Sequence, residues 1–260
     1  MVKVCIVRAP GTNCDLETKF ALESLGAKAD IIHINKFISG RKKLKEYEAL
    51  IIPGGFSYGD HIRSGAIMGK ILAEKFGKEL EKFIFQQKPV LGICNGFQVL
   101  VEAGFLPSFK RGNRVQAALV KNESNRFECR WVYLKVTSSK CIFTKGLKFI
   151  RLPVAHAEGK FIISENKLEK LKENQQIVLR YALPDQNFAE YRYPFNPNGS
   201  MYDIAGICDK HGLVFGLMPH PERAFLKIMY PDWSRGENPQ DYGDGYYIFK
   251  NMIDYIKGGI

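Results

Sequence analysis

The 260 residues contain no CxxC pair and no other paired cysteine spacing; the six cysteines, at 5, 14, 94, 129, 141 and 208, are scattered. This argues against a zinc site or a disulfide framework and points to a reducing cytoplasm. No apolar run reaches the length of a membrane span, and no signal-peptide pattern precedes the apolar opening at 2–7. The expectation is a cytoplasmic protein without a membrane partner. There is no Walker-type Gly-x-x-x-x-Gly-Lys-Ser/Thr loop, no metal-ligand cluster and no internal repeat. The formal net charge is +11, yet no helix-turn-helix, zinc finger or RNA-binding aromatic motif accompanies it. The charge is spread out, and its one dense cluster, Arg41-Lys-Lys-Leu-Lys45, reads as a solvated basic face. No nucleic-acid partner is expected; the functional alternative is an anionic partner, be it an acidic protein, a nucleotide or nucleic acid. The length suits one large α/β domain or a domain with a substantial insertion, and the expectation is a single domain, 1–260.

What is present centres on Pro89-Val-Leu-Gly-Ile-Cys-Asn-Gly-Phe-Gln-Val-Leu100. Residues 90–93 are a short apolar run, right for a buried strand. Residues 95–103 read as a helix closed by Gly104. Cys94 sits at the join, flanked as Gly-x-Cys-x-Gly, the thiol form of a nucleophile elbow. The sharp turn requires that Gly92 and Gly96 lack bulk. It also sets the sulfur at a helix N-terminus, which favours a thiolate. A buried, inert cysteine is the bland alternative.

The first half alternates strand and helix: strands at 3–8, 29–34 and 49–52, and helices at 16–25, 65–76 and 78–87. Asn13 or Asp15 is the expected cap of the first helix. The rhythm implies a parallel sheet with helices on both faces and right-handed crossovers, with ligands at the carboxyl ends of the strands. Pro53-Gly-Gly-Phe-Ser-Tyr-Gly-Asp60 follows the third strand. Gly54 and Gly55 give it the backbone freedom an oxyanion site needs. After 109 the pattern becomes short strands, at 128–136, 149–153, 161–163 and 177–181, an antiparallel extension or a β-rich flap. His156 and Glu158 lie within it. Strands at 204–208 and 213–218 form a hairpin that ends in Pro219-His-Pro-Glu-Arg223. There His220 and Glu222 share a face and match the base and orienter a cysteine nucleophile needs. Residues 230–243 read as loop and 245–257 as a closing helix.

Gly92-Ile-Cys-Asn-Gly-Phe-Gln98 and Pro219-His-Pro-Glu222 resemble the two signature motifs of class I, triad-type glutamine amidotransferases. Within that class, five stretches resemble one family, the glutaminase subunits of phosphoribosylformylglycinamidine synthase. They are Pro10-Gly-Thr-Asn-Cys-Asp15, Pro53 to Asp60, Pro153-Val-Ala-His-Ala-Glu-Gly159, Asn196-Pro-Asn-Gly-Ser200 and Met218 to Arg223. The resemblance runs from about residue 2 to 256. It implies a flavodoxin-like three-layer fold and hydrolysis of L-glutamine to glutamate and ammonia through a cysteine thioester. It further implies a separate synthetase subunit, which would hold ATP and Mg, and a small bridging subunit; no cofactor is implied in this chain. By motif, Cys94 is the nucleophile, His220 the base and Glu222 its orienter. Amides of Asn95 and of Gly54, Gly55 and Phe56 fall at the oxyanion, and Gln98, His156 and Glu158 at the substrate. Phe56 stands where many relatives carry a smaller residue, and residues 230–243 are longer than in the compact bacterial subunits. Two other readings are weighed. An elbow-cysteine peptidase would place a histidine directly after the nucleophile, where this chain has Asn95. A basic scaffold would not need an intact Cys94, His220 and Glu222 set.

Overall fold

The computed structural model describes residues 1–109, 115–137, 139–235 and 241–258. In chain order the elements are β1 (Lys3–Arg8), α1 (Asp15–Ser24), β2 (Lys28–His33), α2 (Ile34–Ile38), β3 (Ala49–Ile52), α3 (Ala66–Ile71) and α4 (Gly77–Phe85), then β4 (Val90–Ile93) and α5 (Asn95–Glu102). β5 (Ala118–Lys121), β6 (Glu128–Val136), β7 (Phe149–His156) and β8 (Glu158–Ile162) follow. α6 (Glu165–Glu173), β9 (Ile177–Ala182), β10 (Ile204–Cys208), β11 (Val214–Leu217) and α7 (Asp244–Ile256) complete the order.

Nine strands form one sheet in the order β2-β1-β3-β4-β11-β10-β9-β6-β7. The first five run parallel. The remaining four add on antiparallel, so three of the four expected strands extend the main sheet, while β8 pairs antiparallel with β5 in a separate two-stranded sheet. β3 and β4 are buried at every position, which is why they read as continuous apolar runs. The right-handed rule sets α1 on one face and α2 to α4 on the other, and the Phe37 and Phe76 rings meet on that second face, 5.0 Å apart. A single turn of wider helix at Leu72–Phe76 joins α3 to α4, where two separate helices were expected.

Three features differ from the sequence-based expectation. Cys14 occupies the N-cap position of α1 and no side chain caps it; the Asp15 carboxylate, expected there, pairs with Arg8 at 2.5 Å. α2, β5 and α6 were not foreseen. α6 is Glu- and Lys-rich and buries only Leu168 and Leu171, too thin a stripe to stand out. Part of the expected loop at 230–243 is ordered by a short turn at Trp233–Arg235, with another, Lys227–Met229, just before it; residues 236–240 lie outside the described residues. The basic cluster at 41–45 sits on an exposed turn, the solvated face expected of it.

Candidate active site

The register of three neighbouring strands assembles the site. β4 lies between β3 and β11, with Ile52 opposite Gly92 and Leu217 opposite Ile93. The chain leaving β3 therefore delivers the Gly54-Gly55 loop to one side of Cys94. The chain leaving β11 delivers His220 to the other. The Cys94 N–H donates to the Leu217 carbonyl at 2.8 Å, fixing the level of the nucleophile against the base-bearing strand.

Cys94 has φ 50° and ψ −104°, a conformation that costs a non-glycine residue on the order of 1–3 kcal/mol. The two glycines are needed as the elbow pattern requires. A Cβ on Gly92 would stand 2.6 Å from the Gly96 carbonyl oxygen, and one on Gly96 would run into the Ile52 carbonyl of β3. The Cys94 sulfur is 3.7 Å from the Ala155 carbonyl and is buried apart from 5% of its surface.

His220 and Glu222 are both buried, and Nδ1 of the imidazole is 2.6 Å from Glu222 Oε1. Nε2 is buried and makes no close hydrogen bond, so it is open to a proton from the thiol side. Burial opposes the imidazolium, but the Glu222 carboxylate and then Cys94 outweigh it and hold His220 well above its ordinary range. Gly54 closes on the far edge of the ring: a Cβ there would be 2.7 Å from His220 Cε1.

Asn95 ties the loop to the elbow. Its Oδ1 accepts from the Ser57 N–H at 3.2 Å, and its Nδ2 donates to Asp60 at 3.2 Å and to Gln98 Oε1 at 3.0 Å. Gln98 in turn donates to the Glu158 carbonyl at the start of β8. The Glu158 carboxylate accepts from the Ser64 N–H at 2.8 Å. Burial raises Asp60, with Glu158 adding to the effect. Among the expected oxyanion amides, that of Phe56 is committed to the Gly11 carbonyl at 2.9 Å, and its ring is 44% exposed. Gly55 stands at φ +144°, and a Cβ there would meet Asn13 N at 2.8 Å.

His156 is buried, with Nδ1 3.1 Å from Asn122 Oδ1. Asn122 Nδ2 donates to the His156 and Arg126 carbonyls, and its Oδ1 accepts from the Gly159 N–H. That orientation makes Oδ1 the acceptor, so His156 carries its proton on Nδ1 and presents Nε2 as a buried, unpaired acceptor. Burial, reinforced by His220, pushes His156 down to about 3.

β7 closes the site from an unexpected direction. It lies at the far edge of the sheet, yet its Pro153 carbonyl accepts the His220 N–H at 2.8 Å, so the antiparallel half curls back over the parallel half. Two groups escaped sequence reasoning. Asn122 carries no motif that marks it. Cys14 lies in the Pro10 to Asp15 stretch, which did signal something. Its sulfur, a His220 nitrogen and a Glu222 oxygen lie within 4.8 Å of one another, the one such metal-type donor group among the described residues. Two of those three donors are the expected base and its orienter. None of the described helices is long and apolar enough to cross a membrane.

A thiol on a strained elbow, faced across one parallel strand pair by a carboxylate-held imidazole, defines a triad-type glutamine amidotransferase. A model of the CobB/CobQ-like glutamine amidotransferase domain matches residues 1–256, and the chain belongs to that family. Within it, the chain is 45% identical to phosphoribosylformylglycinamidine synthase subunit PurQ of Methanococcus maripaludis, over 98% of this chain and 97% of that protein. It is 47% identical to the PurQ subunit of Archaeoglobus fulgidus, over 98% and 97%. The solved structure of PurLQS from Thermotoga maritima contains a chain similar to this one, with a TM-score of 0.74, 33% identity, and coverage of 98% of this chain and 99% of that one.

Proposed function

We propose that this chain, acting as one amidotransferase domain in the cytoplasm, hydrolyses L-glutamine to glutamate and ammonia. It then supplies the ammonia to a synthetase subunit that makes formylglycinamidine ribonucleotide in purine biosynthesis. The observation that carries the reading is the β4–β11 register, which brings Cys94 and the His220–Glu222 pair to one strand end. The Cys94 sulfur attacks the side-chain amide carbon while its proton passes to His220 Nε2. The tetrahedral oxyanion is held by backbone amides, for which Gly55 and Asn95 are our assignment, because the Phe56 N–H is already used. Collapse expels ammonia with the proton from His220 and leaves a thioester. Water then attacks, His220 takes its proton, and glutamate departs as Cys94 regains a proton. Glu222 holds the imidazole by Nδ1 throughout. Gln98 shapes the substrate wall through its bond to the Glu158 carbonyl, and His156 offers its free Nε2 as an acceptor.

The match to a chain of the PurLQS assembly and to the PurQ subunits supports a complex with a synthetase and a small third subunit. ATP and Mg belong on the synthetase. A glutamine-analogue diazoketone or chloroketone should label Cys94 alone. Cys129 is the exposed thiol and serves as the internal control. Peptide mapping that found the label on Cys129 with Cys94 unmodified would refute the assignment.

A further inference from the structure

Cys14 is a buried cysteine that does not belong to the apolar core. It is 1% exposed, yet polar groups surround its sulfur. Arg223 Nη2 donates to the sulfur at 3.1 Å. The thiol donates to Asn13 Oδ1 at 3.2 Å. The His220 imidazole and the Glu222 carboxylate complete the shell. A Cβ on Gly54 would be 3.1 Å from this sulfur and 2.7 Å from His220 Cε1, so the thiol, the ring edge and the loop meet at one point. The Cys14 N–H donates to the Gly54 carbonyl at 3.2 Å. One residue therefore stands with its sulfur within 4.8 Å of a nitrogen of the base and bonds the loop through its backbone.

The protonation state follows from the partners. A thiol satisfies both bonds, giving its hydrogen to Asn13 and accepting from Arg223. A thiolate would face the Asn13 oxygen and the Glu222 carboxylate without a proton. Burial, opposed by His220 and Arg223, keeps Cys14 protonated above the ordinary thiol range. Cys14 thus faces His220 as a neutral thiol.

We propose that Cys14, clamped by Arg223 and Asn13, is a positioning residue for His220: it holds the imidazole edge toward Cys94 and exchanges no proton itself. This rests on the glutaminase reading above. Arg223 also lies 3.6 Å from Glu17 and is only partly buried, so the clamp reaches from the base to the surface of α1.

The test uses the full chain reconstituted with its synthetase and, separately, histidine-labelled full chain for NMR. Cys14→Ala should lower kcat on the order of tenfold, with KM for glutamine within about twofold, as misorientation of a base does. The groups that set the His220 titration are Glu222, Cys94 and Cys14, with His156 nearby. Removing the Cys14 contact should move its midpoint down. Cys14→Ser, which can keep both hydrogen bonds, should restore most of kcat and of the midpoint. Arg223→Gln should shift both in the Cys14→Ala direction. If Cys14→Ala is too unstable to study, the Ser and Arg223→Gln variants decide. A folded Cys14→Ala, or Arg223→Gln, with wild-type kcat and wild-type His220 midpoint would overturn the proposal. Absence of glutamine hydrolysis by the wild-type complex would instead refute the glutaminase reading, and the NMR titration would still decide the role of Cys14.

Discussion

At the scale of single residues, chemistry is assigned by partners rather than by residue type. His220 and His156 are both buried, yet they are driven in opposite directions. His220 has the Glu222 carboxylate at 2.6 Å, while His156 has only an amide and a second histidine nearby. Two predictions follow from this contrast. Replacing the base, His220→Ala, should lower turnover on the order of a hundredfold or more, and replacing its orienter, Glu222→Gln, by less. Steady-state kinetics showing Glu222→Gln harmless and Glu158→Gln crippling would mean that the wrong carboxylate is assigned. The second concerns stability. His156 is held at about 3 in the fold against 6.5 in the unfolded chain, so below pH 6.5 the unfolded state binds a proton that the folded state refuses. Stability should fall as pH drops from 6.5 towards 3, by up to about 1.4 kcal/mol per pH unit from this group. His220, shifted the other way, keeps its full contribution below 6.5. Urea unfolding at pH 7 and pH 5.5 should show a larger loss for the wild type than for His156→Asn; equal losses would contradict the assignment. The proposed triad was legible in the sequence because its signals are local: a thiol between two glycines, and a histidine two residues from a carboxylate. Cys14 and Asn122 were not, since each acquires its role from residues more than thirty positions away.

At the scale of elements, the parallel strands were legible because burial on both faces makes them unbroken apolar runs, as in Ala49–Ile52 and Val90–Ile93. α6 hid behind its charges, and the start of α1 depends on a tertiary partner, Arg8, which takes the Asp15 carboxylate. The turn between β7 and β8 is held by Asn122, which bonds the His156 and Arg126 carbonyls, the Gly159 N–H and the His156 ring. No local sequence signal announces it. Asn122→Ala would strand these buried groups at about 1–3 kcal/mol each. We expect a loss of more than 3 kcal/mol in chemical denaturation, with glutaminase activity falling further than the folded fraction. A loss under 1 kcal/mol would mean that the turn is held by something else.

At the scale of the whole molecule, the parallel half carries Cys94, His220 and the glycine loop, the proposed nucleophile, base and oxyanion site. The antiparallel half curls back to wall the site through Pro153 and Ala155 of β7, and Glu158, at the start of β8 in the separate β5–β8 pair, adds to that wall. That curl was illegible, because it arises from contacts between strands far apart in the chain. The loop from Gly54 to Ser64 lies between site and surface, bonded inward through Asn95 and Glu158 while Ile62 is 86% exposed. A partner that docks there would act directly on the oxyanion amides. The isolated chain should therefore hydrolyse glutamine poorly, and the synthetase with its ligands should raise the rate. The division of labour is tested most directly in the reconstituted complex with Cys94→Ala, by measuring formylglycinamidine ribonucleotide formed from glutamine and from added ammonium salt. The account predicts that synthesis from glutamine is abolished while synthesis from ammonium stays close to wild type, because ammonia bypasses the thiol. Loss of both activities in a variant that folds and assembles normally would contradict it.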